Sequence, residues 1–406
     1  MTFNNKNTKK QNIKLKMDLE QAQYLSQTIH NTTIASFFRD KVVSVYSKVL
    51  NNIPPLGELE RTAGLYSFTK KDYDLGIGNF YNRALFRWGD DIDGDNDHDD
   101  NDNNDHHHDT TNKRKHILSS SLLSDTFPTD LIEAKWFGED IHNNNNNNIH
   151  SNEGLSLSRP GVVIIDNLLT STALQSIRKI LLQNTVFYQT KMPLRFGGYA
   201  GAYLDDGLHD RILVRLSYEL HKKLPRIMED HPLRYLWAYR YDSEYEGINI
   251  HADQAAVNVN IWLSPDDANL GGGATTTTNG VGEGEGGGGG ENGGGLVVYT
   301  ARPPSDWDFE KYNTDVGKAI REVIEPTGYA NVTVPYRENR AVLFDSMLFH
   351  RTDAFKFKNG FTNRRINLTL LYGTMTKNRV VEVEVVAGGD GGGMTGSGGI
   401  GIKDDL

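Results

Sequence analysis

Apolar positions in the first fifty residues recur at helical intervals. Leu19, Ala22, Leu25 and Ile29 form one stripe, and Phe37, Val42, Val45, Tyr46 and Val49 form a second that Pro54 and Pro55 close. The stretch KDYDLGIGNFYNRALFRW predicts a further helix. These stripes are packing faces and carry no chemistry of their own. From Arg159 onward the pattern changes. PGVVIIDNLL reads as a short apolar strand, and Thr170 or Ser171 caps a helix whose Leu174, Ile177 and Leu181 share a face. A second helix is expected over about 208 to 224, with Ile212, Leu213, Leu216, Leu220 and Leu224 on one side. Short strands follow: RYLWAYRY, AAVNVNIWL, GLVVYTA, ANVTVPY, RAVLFDS and RRINLTLLYG. Helices ahead of a run of short strands predict an α+β fold. Its strands are expected to wrap into a double-stranded β-helix, a jelly-roll barrel with supporting helices, beside an N-terminal helical region.

Three stretches interrupt the pattern and offer too little apolar surface to offset the entropy of ordering. They are the Asp/His/Asn run at about 89 to 112, the asparagines from Asn143 to Asn148, and the glycine-rich run from Gly271 to Gly295. The expected organisation is a helical region over 1–88 and a low-complexity, largely disordered linker with short ordered pieces over 89–158. A barrel domain follows over 159–375, with a disordered glycine-rich insertion at 271–295, and then an edge strand, VVEVEVV, and a glycine tail over 376–406.

Parity along the strands exposes the candidate chemistry. In NIHADQAAVNVNIWL, Val257, Val259, Ile261 and Leu263 share one face, while Asn258, Asn260 and Trp262 share the other. Buried amides need partners, so the second face must look into a polar cavity, and that cavity opens beside His251 and Asp253. His-x-Asp occurs three times, but His98–Asp100 and His107–Asp109 lie inside the aspartate run. Only His251–Asp253 abuts a core strand; a turn histidine capped by its neighbour is the plain alternative there. RAVLFDSMLFH then ends an apolar strand in His350, the one histidine after His251. Two neutral imidazoles and a carboxylate make a facial triad suited to non-haem Fe(II), with three positions left for a bidentate keto acid and dioxygen. In NRRINLTLLYG, Arg365, Asn367 and Thr369 share a face opposite Ile366, Leu368 and Leu370. Parity points Arg365 and Thr369 into the cavity and Arg364 outward. A buried guanidinium needs an anion, which a dicarboxylate cosubstrate provides and which a structural carboxylate would provide equally.

Taken in order, these segments resemble the prolyl-hydroxylase-like class of Fe(II)/2-oxoglutarate-dependent dioxygenases over about Pro160 to Gly373. RYDSEYEGINIHAD resembles the entry to the first ligand pair, with Tyr241 ten residues ahead of His251, where a cosubstrate-binding tyrosine is often found. GGGLVVY resembles the strand after the variable insertion, RAVLFDSMLFH the segment carrying the distal histidine, and Arg365-x-Asn367-x-Thr369 the final strand. The resemblance implies that His251, Asp253 and His350 hold Fe(II). It further implies that Arg365 meets the far carboxylate of 2-oxoglutarate, with Tyr241, Asn258, Asn260, Trp262 and Thr369 as further cosubstrate contacts. The implied reaction hydroxylates a C–H bond of a peptide or small molecule with O2, releasing succinate and CO2, with ascorbate as a candidate reductant. Arg365 lies fifteen positions after His350, more than is usual in the family, so TDAFKFKNGFTN is expected to form an extra loop or hairpin. Trp237 and Tyr239 are candidates for the substrate entrance. The alternatives are a cupin-like metalloenzyme that does not use 2-oxoglutarate, and an inactive barrel serving as an interaction module.

Composition narrows the classes. No cysteine is present, which excludes disulfides, thiolate nucleophiles and cysteine-ligated metal centres and is compatible with a reducing compartment. The net charge of −10 is matched by the ten aspartates between Asp90 and Asp109, so no basic footprint for nucleic acid remains outside that run. MTFNNKNTKKQNIKLKM is basic but lacks an apolar signal core, and no run is long enough to span a bilayer; a cytoplasmic setting is favoured. The final KDDL resembles a retention tail and is read as coincidence.

Overall fold

Strand alternation from Val162 to Tyr372 builds two antiparallel sheets with helices packed on the outside of the larger one. The computed structural model describes residues 13–54, 66–88, 117–139, 159–191, 198–245, 247–271, 293–304, 312–313 and 315–374. The aspartate and asparagine runs, most of the glycine run, VVEVEVV and the KDDL tail lie outside the described residues.

The N-terminal stripes form α1 (Ile13–Thr28), α2 (Thr32–Phe37) and, after a π-helical turn over Phe38–Val42, α3 (Val43–Asn52). Asn31 starts α2 by accepting the Thr33 and Ile34 backbone N–H groups at 3.0 and 3.1 Å. Leu15, Ala22 and Leu25 of α1 pack with Phe38, Val42, Tyr46 and Val49, while Ile13 and Met17 turn to the main core. The helix expected over KDYDLGIGNFYNRALFRW is corrected to one short turn, α4 (Lys70–Asp74), and a 3₁₀ turn over Ile77–Asn79. Gly76 at φ 91° and Asn82 at φ 54° are left-handed, which a continuous helix excludes. Helix α5 (Thr129–Phe137) follows.

Strand β1 (Val162–Ile165) leads into α6 (Ser171–Gln183), which Thr170 caps through the Ala173 N–H. After β2 (Gln189–Lys191) and β3 (Tyr199–Tyr203) come α7 (Arg211–Lys223), capped by Asp210, and the short α8 (Pro225–Met228). The expected strands appear as β4 (Leu233–Tyr241), β5 (Val257–Trp262), β6 (Leu296–Tyr299), β7 (Asn331–Val334), β8 (Ala341–Asp345) and β10 (Ile366–Tyr372). The pieces not expected in this region include β2, β3, α8, β9 (His350–Thr352) and α9 (Val316–Ala319), the last of which precedes a π-helical turn. TDAFKFKNGFTN makes no hairpin of its own; Phe357 bridges to Asn269, and a 3₁₀ turn covers Phe361–Asn363.

The large sheet runs β1-β8-β5-β10-β4-β3-β2 and the small one β7-β6-β9. From β5 onward the chain passes back and forth between them, yet neither sheet closes on itself and no hydrogen-bonded barrel forms among the described residues. Val257, Val259, Ile261 and Leu263 face the helices with Ile366, Leu368 and Leu370, against Ile177, Leu181, Leu213 and Leu216. Each such side chain, fully withdrawn from water, contributes roughly 1.5–3 kcal/mol. The opposite face of β5 and β10 meets the small sheet over Trp262, Tyr241, Leu296, Val298, Val334 and Phe344. Gly295 sits where these layers touch: a Cβ there would overlap the Val334 carbonyl oxygen and crowd Trp262. The end of the glycine run is therefore packed structure, contrary to its reading as slack insertion up to residue 295. No described helix is long and apolar enough to cross a membrane.

Candidate metal centre

An antiparallel bridge sets two imidazoles side by side. The His251 N–H donates to the His350 carbonyl at 3.0 Å, and the His350 N–H donates to the His251 carbonyl at 2.8 Å. Directly opposed residues of an antiparallel pair put their side chains on the same face, and here the ring centroids lie 4.2 Å apart. Asp253, two residues on, returns to the same side, its N–H fixed by the Ser346 carbonyl at 3.0 Å.

Both rings are oriented in the same way. His251 Nδ1 donates to the Asn249 carbonyl at 2.7 Å and His350 Nδ1 to the Leu348 carbonyl at 3.0 Å, in each case two residues back. A carbonyl only accepts, so Nδ1 carries the proton and the Nε2 lone pair is left for a cation. The Asp253 carboxylate lies 3.8 Å from His251 Nε2 and 3.4 Å from His350 Nε2, and the three ligand atoms fall within 4.8 Å of one another. Ligands at about 2.1 Å from one ion lie no more than about 4.2 Å apart, so both carboxylate separations fit a shared metal. Asn258 Nδ2 donates to Asp253 Oδ2 at 2.7 Å and steadies the carboxylate from behind.

The electrostatics suit a ligand set. Removal from water and the neighbouring His350 push His251 down to about 4, against Asp253 and two backbone bonds, so its imidazole is neutral at neutral pH. Burial pushes the Asp253 carboxyl up, but the adjoining His350 and His251 and the Asn258 amide outweigh it and hold it below the usual range.

The triad opens on a cavity of ≈ 510 Å³ that Arg365 also lines. Arg365 is fully buried, its guanidinium 4.7 Å from the Tyr241 ring centre and 5.7 Å from that of Phe355. Its Nε donates to the Gly294 carbonyl at 2.8 Å and its Nη2 to the Gly295 carbonyl at 3.3 Å, whereas Nη1 has no hydrogen-bond partner. Two further buried atoms lack partners on the same wall, Asn260 Oδ1 and Asn367 Oδ1. Buried polar groups are normally satisfied, so this wall is built for something polar. Thr369 Oγ1 already accepts from Asn367 and Asn260, at 3.0 and 3.4 Å, which leaves its own proton to donate. Burial raises the Tyr241 phenol, against Arg365, so it too remains a donor.

The expected cosubstrate contacts thus divide. Arg365, Tyr241, Asn260 and Thr369 line the cavity. Asn258 serves Asp253 instead, and Trp262 is fully buried, stacked on Tyr336 at 5.3 Å. Trp237 and Tyr239 line the same cavity, with Tyr239 bonded through its hydroxyl to Tyr203 at 2.9 Å. Arg364 takes the opposite side from Arg365 but does not reach solvent: Glu20 of α1 holds its Nε and Nη2 at 2.7 and 2.9 Å, and Asp242 lies 3.5 Å away. Backbone carbonyls at Asn249, Leu348, Gly294 and Gly295 were not foreseen, since a carbonyl is common to all residues. Asn313, whose side chain pairs with Ala252, had no motif to mark it.

No protein-family model matches the chain, and no curated protein matches it. Solved structures that match part of the chain include SnoN, the non-haem α-ketoglutarate-dependent epimerase of nogalamycin biosynthesis, at 13% identity and a TM-score of 0.36, covering 53% of this chain and 78% of that one. HygX from Streptomyces hygroscopicus, with nickel and 2-oxoglutarate bound, matches at 13% identity and a TM-score of 0.34, covering 53% and 83%. A prolyl-4-hydroxylase from Pseudomonas putida matches at 10% identity and a TM-score of 0.32, covering 53% and 94%. At such distances the chemistry of this chain rests on its own side chains.

Proposed function

We propose that this protein is an Fe(II)- and 2-oxoglutarate-dependent oxygenase of the prolyl-hydroxylase-like class, which hydroxylates a C–H bond of a peptide or small-molecule substrate. One observation carries the reading. Three candidate metal-ligand side chains from two distant places in the sequence converge within 4.8 Å on a cavity whose wall also holds a buried guanidinium with one nitrogen unpartnered. On this reading the two sheets are the layers of a double-stranded β-helix.

His251, Asp253 and His350 would hold the iron, and Arg365 with the Tyr241 and Thr369 hydroxyls would hold the far carboxylate of 2-oxoglutarate. When bound, iron and keto acid supply the activation of dioxygen, with succinate and CO2 as the coproducts. This chain's own part is to orient. The Asn249 and Leu348 carbonyls fix both imidazole tautomers, and Asn258 fixes the carboxylate. Trp237 and Tyr239 form an aromatic wall against which a substrate can pack. A cupin-like enzyme without a keto acid would leave Arg365 Nη1 unexplained, and an inactive interaction module would have no use for a complete ligand set.

Anaerobically purified protein, loaded with Fe(II) and then exposed to O2, is expected to convert 2-oxoglutarate to succinate even without substrate. If Fe(II) binds but no succinate forms and 2-oxoglutarate does not bind, the cupin-like reading replaces this one.

A further inference from the structure

The tripeptide His251-Ala252-Asp253 carries two ligands on two adjacent peptide units, so their relative placement depends on how firmly its backbone is held. Its three N–H groups are all engaged. His251 donates to His350, the first residue of β9, and Asp253 to Ser346, just after β8. Ala252 lies between these anchors and is served from elsewhere. Its N–H donates to Asn313 Oδ1 at 3.0 Å, and its carbonyl accepts from Asn313 Nδ2 at 2.9 Å. One carboxamide thus pairs with the N–H and the carbonyl of Ala252, one from each of the two peptide units it joins, as a neighbouring strand would. Neither Asp nor Ser nor Ala can do so: an aspartate cannot donate, and the smaller side chains do not reach.

Asn313 is itself held in register. Its neighbour Tyr312 is fully buried against Phe349 at 5.5 Å, in a cluster that includes Ala252 and Val297. The clamp therefore ties the ligand tripeptide to the same apolar cluster that backs His350 through Phe349. We propose that Asn313 is a positioning residue of the metal centre: it sets the angle between the His251 and Asp253 side chains by gripping the residue between them. This inference rests on the metal-binding reading, and it assigns a role to a side chain sixty positions from the ligands it serves.

An internal control exists. Asn339 makes the same double clamp on Leu169, accepting its N–H at 2.9 Å and donating to its carbonyl at 2.8 Å, but it does not line the metal cavity. Asn313→Ala and Asn339→Ala each strip one buried residue of both its backbone bonds, so both should lower the melting temperature of the metal-free protein. Only Asn313→Ala should weaken the metal site. The test is a titration of Co(II), followed by visible absorption, into wild type and both variants well below their melting temperatures. The expected result is roughly 10–100-fold weaker Co(II) binding, with an altered absorption band, for Asn313→Ala, and wild-type affinity and spectrum for Asn339→Ala. Wild-type affinity in Asn313→Ala, or an equal loss in both variants, reduces Asn313 to a purely structural clamp and overturns the inference while leaving the metal centre standing. A wild-type protein that binds no Co(II) overturns the metal centre and this inference together.

Discussion

Replacing Arg365 by Ala isolates the cosubstrate half of the site. The side chain is buried, and two of its nitrogens are spent on the Gly294 and Gly295 carbonyls. Nη1 remains free for a ligand. A carboxylate accepting from Nη1 gains one charge-assisted hydrogen bond, worth about 1.5–3 kcal/mol. At about 1.4 kcal/mol per tenfold, its loss corresponds to roughly 10–150-fold weaker 2-oxoglutarate binding. Arg365→Lys keeps the charge but not the fork that fixes it between two carbonyls, and an intermediate loss is expected. The assay is calorimetric titration of 2-oxoglutarate into Ni(II)-loaded protein, which avoids turnover, with Ni(II) affinity measured separately. Nickel binding should stay unchanged, because Arg365 touches none of the three ligands. Unaltered 2-oxoglutarate affinity in Arg365→Ala would refute the assignment. So would a parallel loss of nickel, which would mean that the substitution disturbs the whole cavity.

Two other substitutions test how the N-terminal helices are built and joined to the sheet. Glu20→Gln should destabilise the protein by about 1–3 kcal/mol in chemical denaturation, less than the ~3–5 kcal/mol of a fully broken buried pair, because Asp242 still faces Arg364; a change within error would show that α1 is not held through this ion pair. The Asp72 carboxylate accepts from Tyr66, twice from Thr69 and from Asn52, at 2.6 to 3.1 Å, and these bonds outweigh the effect of burial and hold its carboxyl below the usual range. The unfolded chain then binds the proton more readily, so this stability is complete above the ordinary 3.8 and is lost as pH falls below it. Asp72→Ala should cost on the order of 3 kcal/mol at pH 7 and flatten the acid limb of the melting profile, and an unchanged acid limb would contradict the assignment.

What the sequence disclosed follows from which signals are local. Alternation marked β5 and β10 because both have one face on helices and one on a polar cavity, and the same alternation separated Arg365 from Arg364. Strand β3, YAGAY, escaped because glycine and alanine blur a period of two, and β9 because three residues are too few to show one. The stretch KDYDLGIGNFYNRALFRW suggested a helix that Gly76 and Asn82 break. The ligand types could be read from their chemistry, but not the bridge that sets His251 against His350. Arg364 seemed destined for solvent because its partner Glu20 lies 344 positions earlier, in a helix to which the pattern assigned packing alone. Asn313 was illegible for a related reason: a lone asparagine in a connection announces nothing until the peptide it grips is brought beside it.

Whether three side chains hold one metal ion is tested most directly by anaerobic Fe(II) titration with metal analysis, on wild type and on His251→Ala and His350→Ala. The geometry calls for a single Fe(II) per chain in wild type and none retained by either variant. A wild type that retains no iron, or variants that keep the full complement, would contradict it.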